Sequence, residues 1–166
     1  MPLTDEALAE AGTQLADVLK QRELTIATAE SCTGGWVAKV LTDRAGSSSY
    51  VLAGLVTYSN DAKRGLLGVT ELSLGEHGAV SEPVVREMVA GALATTGADV
   101  AVAISGVAGP GGGSDDKPVG TVWFAWGRSA ADTEAVVEQF QGDRDQVRRQ
   151  AVLYVLQGVR SFLEKA

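Results

Sequence analysis

The run Leu24-Thr25-Ile26-Ala27 gives way to Ala29-Glu30-Ser31-Cys32-Thr33-Gly34-Gly35, which leads directly into the amphipathic Trp36-Val37-Ala38-Lys39-Val40-Leu41. That order reads as strand, tight polar turn and helix. A turn so placed aims side-chain hydroxyls, and the free N–H groups of a helix start, at one point in space. A hydroxyl nucleophile or an anion site suits that position. So does a plain helix cap, because Ser and Thr are ordinary N-cap residues and Gly an ordinary turn residue. The segment alone leaves both readings open.

The rest of the chain frames this unit. Ala7/Leu8, Ala11, Leu15 and Val18/Leu19 recur at helical spacing over residues 4–21. The strand at 24–29 is followed by a helix over about 35–44. Residues 50–58 are mostly apolar and predict a strand covered on both faces. The polar turn Ser59-Asn60-Asp61 precedes a short helix over 62–68, with another near 71–76. Helical spacing returns between Ser81-Glu82-Pro83 and Gly97, and Val100-Ala101-Val102-Ala103-Ile104 predicts a third buried strand. From Gly106 to Pro118 the chain carries five glycines and two prolines, the composition of a loop. Residues 119–126 and 133–140 predict an antiparallel hairpin across the short Gly127–Asp132 connection. A helix over about 143–164 closes the chain, its buried stripe being Val147, Ala151, Val155, Val159 and Phe162. Helix–strand alternation ending in a hairpin predicts a three-layer α/β/α sandwich with a mixed, mainly parallel sheet of about five strands, in one domain over residues 1–166.

Composition removes several function classes. The net charge of −7 argues against a nucleic-acid binder, which draws most of its affinity from a basic face. Cys32 is the only cysteine, so no internal disulfide forms, and with His77 the only histidine there is no Cys/His cluster for zinc. No metal or cofactor is expected. His77 falls in a turn and receives no catalytic role. No apolar run approaches the roughly 18 residues of a membrane span, and Met1-Pro2-Leu3-Thr4-Asp5-Glu6 lacks the basic start and apolar core of a signal peptide. A cytoplasmic location away from membranes is the expectation.

Three loops, 30–35, 59–63 and 105–118, follow apolar strands, and ligands of open α/β sheets sit beyond the carboxyl ends of strands. Lys63 stands shortly after Tyr58. A lysine partly buried in a cleft loses its charge more readily and can deprotonate a serine, so Ser31 as nucleophile with Lys63 as base is chemically coherent. Tyr58 can donate a hydrogen bond or relay a proton. Cys32 is a rival nucleophile, since thiolates at helix starts have lowered pKa values; it ranks below Ser31 because one residue along a turn changes direction sharply and a free Cys is usually buried packing. Ser105-Gly106-Val107-Ala108-Gly109-Pro110-Gly111-Gly112-Gly113-Ser114 offers backbone N–H groups that can cradle a phosphate, without the ending of a P-loop or the spacing of a dinucleotide fingerprint. Arg144 at the start of the last helix opposes the macrodipole and hints at an anionic partner. Arg148 and Arg149 read as a solvated face, and Trp36, Trp123 and Trp126 as packing.

Taken together, Glu30-Ser31-Cys32-Thr33-Gly34-Gly35, Thr57-Tyr58-Ser59-Asn60 with Lys63, His77-Gly78-Ala79-Val80-Ser81, Gly106-Val107-Ala108-Gly109-Pro110-Gly111-Gly112, Lys117-Pro118-Val119-Gly120-Thr121-Val122 and Gly142-Asp143-Arg144 resemble the C-terminal domain of the competence/damage-inducible protein CinA and the stand-alone nicotinamide mononucleotide amidohydrolases. The resemblance spans about residues 5–163. It implies an α/β/α fold, often dimeric, and hydrolysis of the carboxamide of nicotinamide mononucleotide in pyridine nucleotide recycling. By matching position it implies catalytic roles for Ser31, Tyr58 and Lys63. It likewise implies nucleotide contacts from Gly34, Gly35, Ser105 and Arg144, to which the loop adds Gly106 and Gly109. N–H groups near Thr33-Gly34-Gly35 are the expected oxyanion donors. The competing class is a non-catalytic nucleotide-sensing or protein-binding module that keeps the phosphate loops without turnover.

Overall fold

The computed structural model describes residues 3–165; Met1 and Pro2, part of the N-terminal stretch read above, lie outside them. Several helices start where the sequence offers a cap. Thr4 accepts from the Ala7 N–H to open α1 (Asp5–Gln21), and Ser59 accepts from Ala62 to open α3 (Asn60–Leu67). Asp143 and Gln146 exchange reciprocal bonds at the start of α6 (Arg144–Lys165), the side chain of each accepting from the other's N–H. The remaining elements are β1 (Ile26–Glu30), α2 (Trp36–Thr42), β2 (Val51–Val56), α4 (Glu71–His77), α5 (Glu82–Thr96), β3 (Val100–Gly106), β4 (Thr121–Gly127) and β5 (Thr133–Gln139).

The sheet order is β2-β1-β3-β4-β5. β1 pairs in parallel with β2 and β3, and β4 pairs antiparallel with β3 and β5. Two pairings are therefore parallel and two antiparallel, while by direction only β4 runs against the other strands. α1, α2 and α6 cover one face through Leu8, Leu15, Leu19, Val37, Leu41, Val155 and Leu156. α3, α4 and α5 cover the other, where Leu67, Val84, Val85, Met88 and Val89 pack on Ala29, Ala101, Ala103 and Ala125. The three layers agree with the expectation from sequence.

One expectation needs correcting. β2 is not covered on both faces: it forms an edge of the sheet, and Leu52 and Val56 are 46 % and 44 % exposed. α2 has only seven residues and meets the strand at Gly54, where a Cβ would stand 2.7 Å from that of Ala38. An apolar run alone does not separate an edge strand from an interior one.

The chain leaves β1 toward β2 on one side and then crosses to β3 on the other. This reversal opens a crevice at the carboxyl ends of β1 and β3, the place where ligands bind in open α/β sheets. Ser31 immediately follows β1 there, and its N–H donates to the Ile104 carbonyl of β3 at 3.0 Å.

Candidate active site

Three of the strand-end segments named from sequence meet at this crevice. A cleft of about 330 Å³ is lined by Ser31 and Cys32 after β1, by Tyr58, Asn60 and Lys63 after β2, and by Ser105 to Gly109 with Gly111 and Gly112 after β3; Arg144 closes it. Ala79 and Val80, between α4 and α5, add a wall that composition did not indicate.

Lys63 is the informative side chain. α3 begins so soon after β2 that its first turn carries the lysine inward, leaving it 1 % exposed. Its Nζ lies 3.0 Å from Ser31 Oγ and donates to the Thr57 carbonyl at 2.8 Å. No carboxylate pairs with it among the described residues. Burial pushes its pKa below the ordinary lysine value, because a charged ammonium is poorly solvated there. A hydroxyl in contact with an amine biased toward its neutral form is a competent nucleophile–base pair.

The nucleophile's turn is fixed from beneath by Glu30. Its buried carboxylate accepts from Thr33 Oγ1 at 2.7 Å and from the Val37 and Ala38 N–H groups at 3.0 Å each. Glu30 thus caps α2 from the end of β1, a role that α2's lack of a side-chain N-cap leaves open. This role of Glu30 has no local sequence signature, since its backbone donors lie seven and eight residues along the chain.

Cys32 is a poor rival. Desolvation, helped by the Glu30 charge, pushes its thiol up to about 12, so no thiolate forms near neutrality. Cys32→Ala is expected to keep wild-type turnover. Iodoacetamide at pH 8 is expected to label the native chain far more slowly than the urea-unfolded chain, as read by mass spectrometry.

Other expected site residues fall in two groups. Ser105, Gly106, Gly109 and Arg144 line the cleft with the dyad. Tyr58 also lines it, but its ring is exposed and its hydroxyl accepts from Arg144 Nη2 at 3.0 Å rather than touching Ser31 or Lys63. Arg144 Nη1 donates to the Gly109 carbonyl at 2.8 Å, tying the last helix to the glycine-rich loop. Lys117 anchors the far end of that loop by donating to the His77 carbonyl. By contrast, Thr33, Gly34 and Gly35 line a separate groove of about 740 Å³ on the α1/α2/α6 side, because the turn has reversed by then.

Two expectations change, the solvated face at Arg148 and the packing role of Trp36. Arg148 is half-buried, and it donates from Nε to the Cys32 carbonyl at 2.9 Å and from Nη2 to the Thr33 carbonyl at 3.3 Å. Trp36 is a platform for two guanidinium groups, with Arg148 and Arg149 5.6 and 5.0 Å from its ring centroid. Among the described residues no group of three or more His, Cys, Asp or Glu could hold a metal ion, and no helix is long and apolar enough to cross a membrane.

An α/β sheet presenting a serine–lysine pair at its topological switch point defines a class of protein, and comparison identifies the member of that class. The family profile described as the CinA C-terminal domain matches residues 8–163. A nicotinamide-nucleotide amidohydrolase of Escherichia coli strain K12 is 57 % identical over 163 residues, covering 98 % of this chain and 99 % of the relative. One from Pseudomonas putida is 52 % identical, covering 89 % and 91 %. The crystal structure of a CinA superfamily protein from Klebsiella pneumoniae superposes with a TM-score of 0.92 at 42 % identity, covering 96 % of this chain and 99 % of that one. The chain belongs to the CinA C-terminal domain family.

Proposed function

We propose that this protein hydrolyses the carboxamide of nicotinamide mononucleotide, giving nicotinate mononucleotide and ammonia. The observation that carries the reading is the 3.0 Å contact between Lys63 Nζ and Ser31 Oγ at the base of a cleft walled by a glycine-rich loop. Full-length relatives named for this activity support it. Ser31 Oγ attacks the carboxamide carbon while Lys63 takes its proton. As the C–N bond breaks, that proton passes to the departing nitrogen and ammonia leaves an acyl-serine. Water then adds to the acyl carbon, Lys63 accepting its proton and returning it to Ser31 as the ester cleaves.

Recognition belongs to the mouth of the cleft. Arg144 supplies a cation beside the Gly106–Gly112 loop, whose backbone can approach a phosphate closely. Ser105 presents a hydroxyl to the same space. Tyr58 holds Arg144 and covers the bound ring. Remote phosphate binding then positions the reacting amide. On this reading the protein recycles pyridine nucleotides in the cytoplasm, and the homodimer implied by the resemblance belongs to the same picture.

The test is ammonia release from nicotinamide mononucleotide, with free nicotinamide as the control substrate. Turnover of the mononucleotide alone is the expected result; binding without turnover by the wild type would favour a sensing module instead. Arg144→Ala is expected to raise KM about 10-fold, the loss of one charge-assisted contact, with a smaller change in kcat.

A further inference from the structure

Arg148 lies on α6, 116 residues along the chain from Cys32, whose carbonyl it holds. Its neighbour Arg149 is paired with Asp5 and Asp145, but among the described residues Arg148 has no carboxylate partner. It spends its donors on two consecutive carbonyls, Cys32 and Thr33, behind the nucleophile's turn. Trp36 supports the guanidinium on one side. Gly34, at φ +61°, leaves room for it: a Cβ there would stand 3.2 Å from Nη2.

That grip has a directional consequence. The Cys32–Thr33 peptide is trans, since among the described residues only Gly109–Pro110 is cis. Its N–H therefore points opposite to its C=O. With the Cys32 oxygen turned toward Arg148, the Thr33 N–H points away from Arg148, and the two residues just before it, Ser31 and Cys32, line the cleft. Among the described residues the Thr33 N–H finds no hydrogen-bond acceptor in the protein, although Thr33 is fully buried. An orphaned buried N–H is rare and costly. One next to a nucleophilic hydroxyl is accounted for if an oxyanion completes it. A cation on the carbonyl also polarises the amide and makes its N–H a stronger donor. Glu30 holds Thr33 from the opposite side through Oγ1, so the residue cannot swing.

We infer that Arg148 is a positioning residue for the reaction: by holding the Cys32 and Thr33 carbonyls it aims the Cys32–Thr33 amide at the oxyanion formed on the scissile carbonyl. The inference rests on the amidase reading above. It is tested by steady-state kinetics on nicotinamide mononucleotide for the wild type and Arg148→Ala, with and without low concentrations of guanidinium chloride, alongside thermal melts. Arg148→Ala is expected to lower kcat about 10- to 100-fold, the scale of a disturbed oxyanion donor, with KM held within about twofold. Added guanidinium is expected to restore several-fold activity to the variant and none to the wild type. An unchanged kcat would overturn the inference, as would a fall in kcat that guanidinium does not restore, which marks a structural role only. An inactive wild type would overturn the amidase reading and this inference together, so the two failures are told apart by the wild-type arm.

Discussion

Ser31→Ala is expected to lose at least about 1,000-fold in kcat/KM for nicotinamide mononucleotide while still binding it. The substitution removes one oxygen from a turn whose shape is held by other groups: Glu30 caps α2, Arg148 holds two carbonyls, and the Gly34 N–H donates to the Ser31 carbonyl at 3.0 Å. The fold should therefore survive, and Lys63 keeps its bond to the Thr57 carbonyl. Cys32 cannot take over with a thiol pushed up to about 12. Ammonia release gives the rate and calorimetric titration with the mononucleotide gives the binding. Turnover near the wild-type rate would remove Ser31 from the nucleophile's role.

Lys63→Met carries the second large effect, and it runs in two directions at once. Activity is expected to fall by at least about 100-fold, the contribution of a positioned general base. In the wild type, kcat is expected to rise with pH as Lys63 loses its proton, with a midpoint below the ordinary lysine value of 10.5, and that limb should vanish in the variant. Stability moves the other way. The folded-state pKa is depressed by burial, so between it and 10.5 the unfolded chain binds more protons than the folded one. Wild-type stability therefore rises with pH through that window, and below it the cost of the buried charge is present in full. Methionine removes this cost. The variant should be more stable than the wild type at neutral pH, with the advantage shrinking toward pH 10.5 and above. Urea unfolding at several pH values reads the sign directly. A variant less stable than the wild type at pH 7 would show that Lys63 is held by contacts stronger than its desolvation.

The pair at the centre of these predictions was readable from the chain because the chemistry is local to strand ends. Ser31 follows an apolar run directly, Lys63 follows another within one helical turn, and such loops converge in a sheet of this topology. Helical and strand periods likewise gave each element, since α1, α5 and α6 bury regular stripes. What remained hidden depends on partners distant in sequence or on which face of a turn is presented. Arg148 looked like surface because nothing near it in sequence is an acceptor; its acceptors lie at Cys32 and Thr33. Thr33, Gly34 and Gly35 share a motif with Ser31, yet they line the separate groove on the α1/α2/α6 side. The edge status of β2 depends on what covers it, and α2 proves too short to do so.

The division of labour between chain segments also bears on how the substrate range of such a protein can change. The reacting pair is carried on β1 and α3, while much of the recognition wall is one excursion, residues 107–120, leaving β3 and rejoining the sheet at β4. That excursion is moored at its ends, by the Val107 N–H on the Thr121 carbonyl and the Gly120 N–H on the Val107 carbonyl. It is a cassette: grafting the corresponding segment from a relative exchanges the wall and leaves the dyad's supports in place. Chimeras made at that boundary are accordingly the natural route to amidases of altered preference on this scaffold.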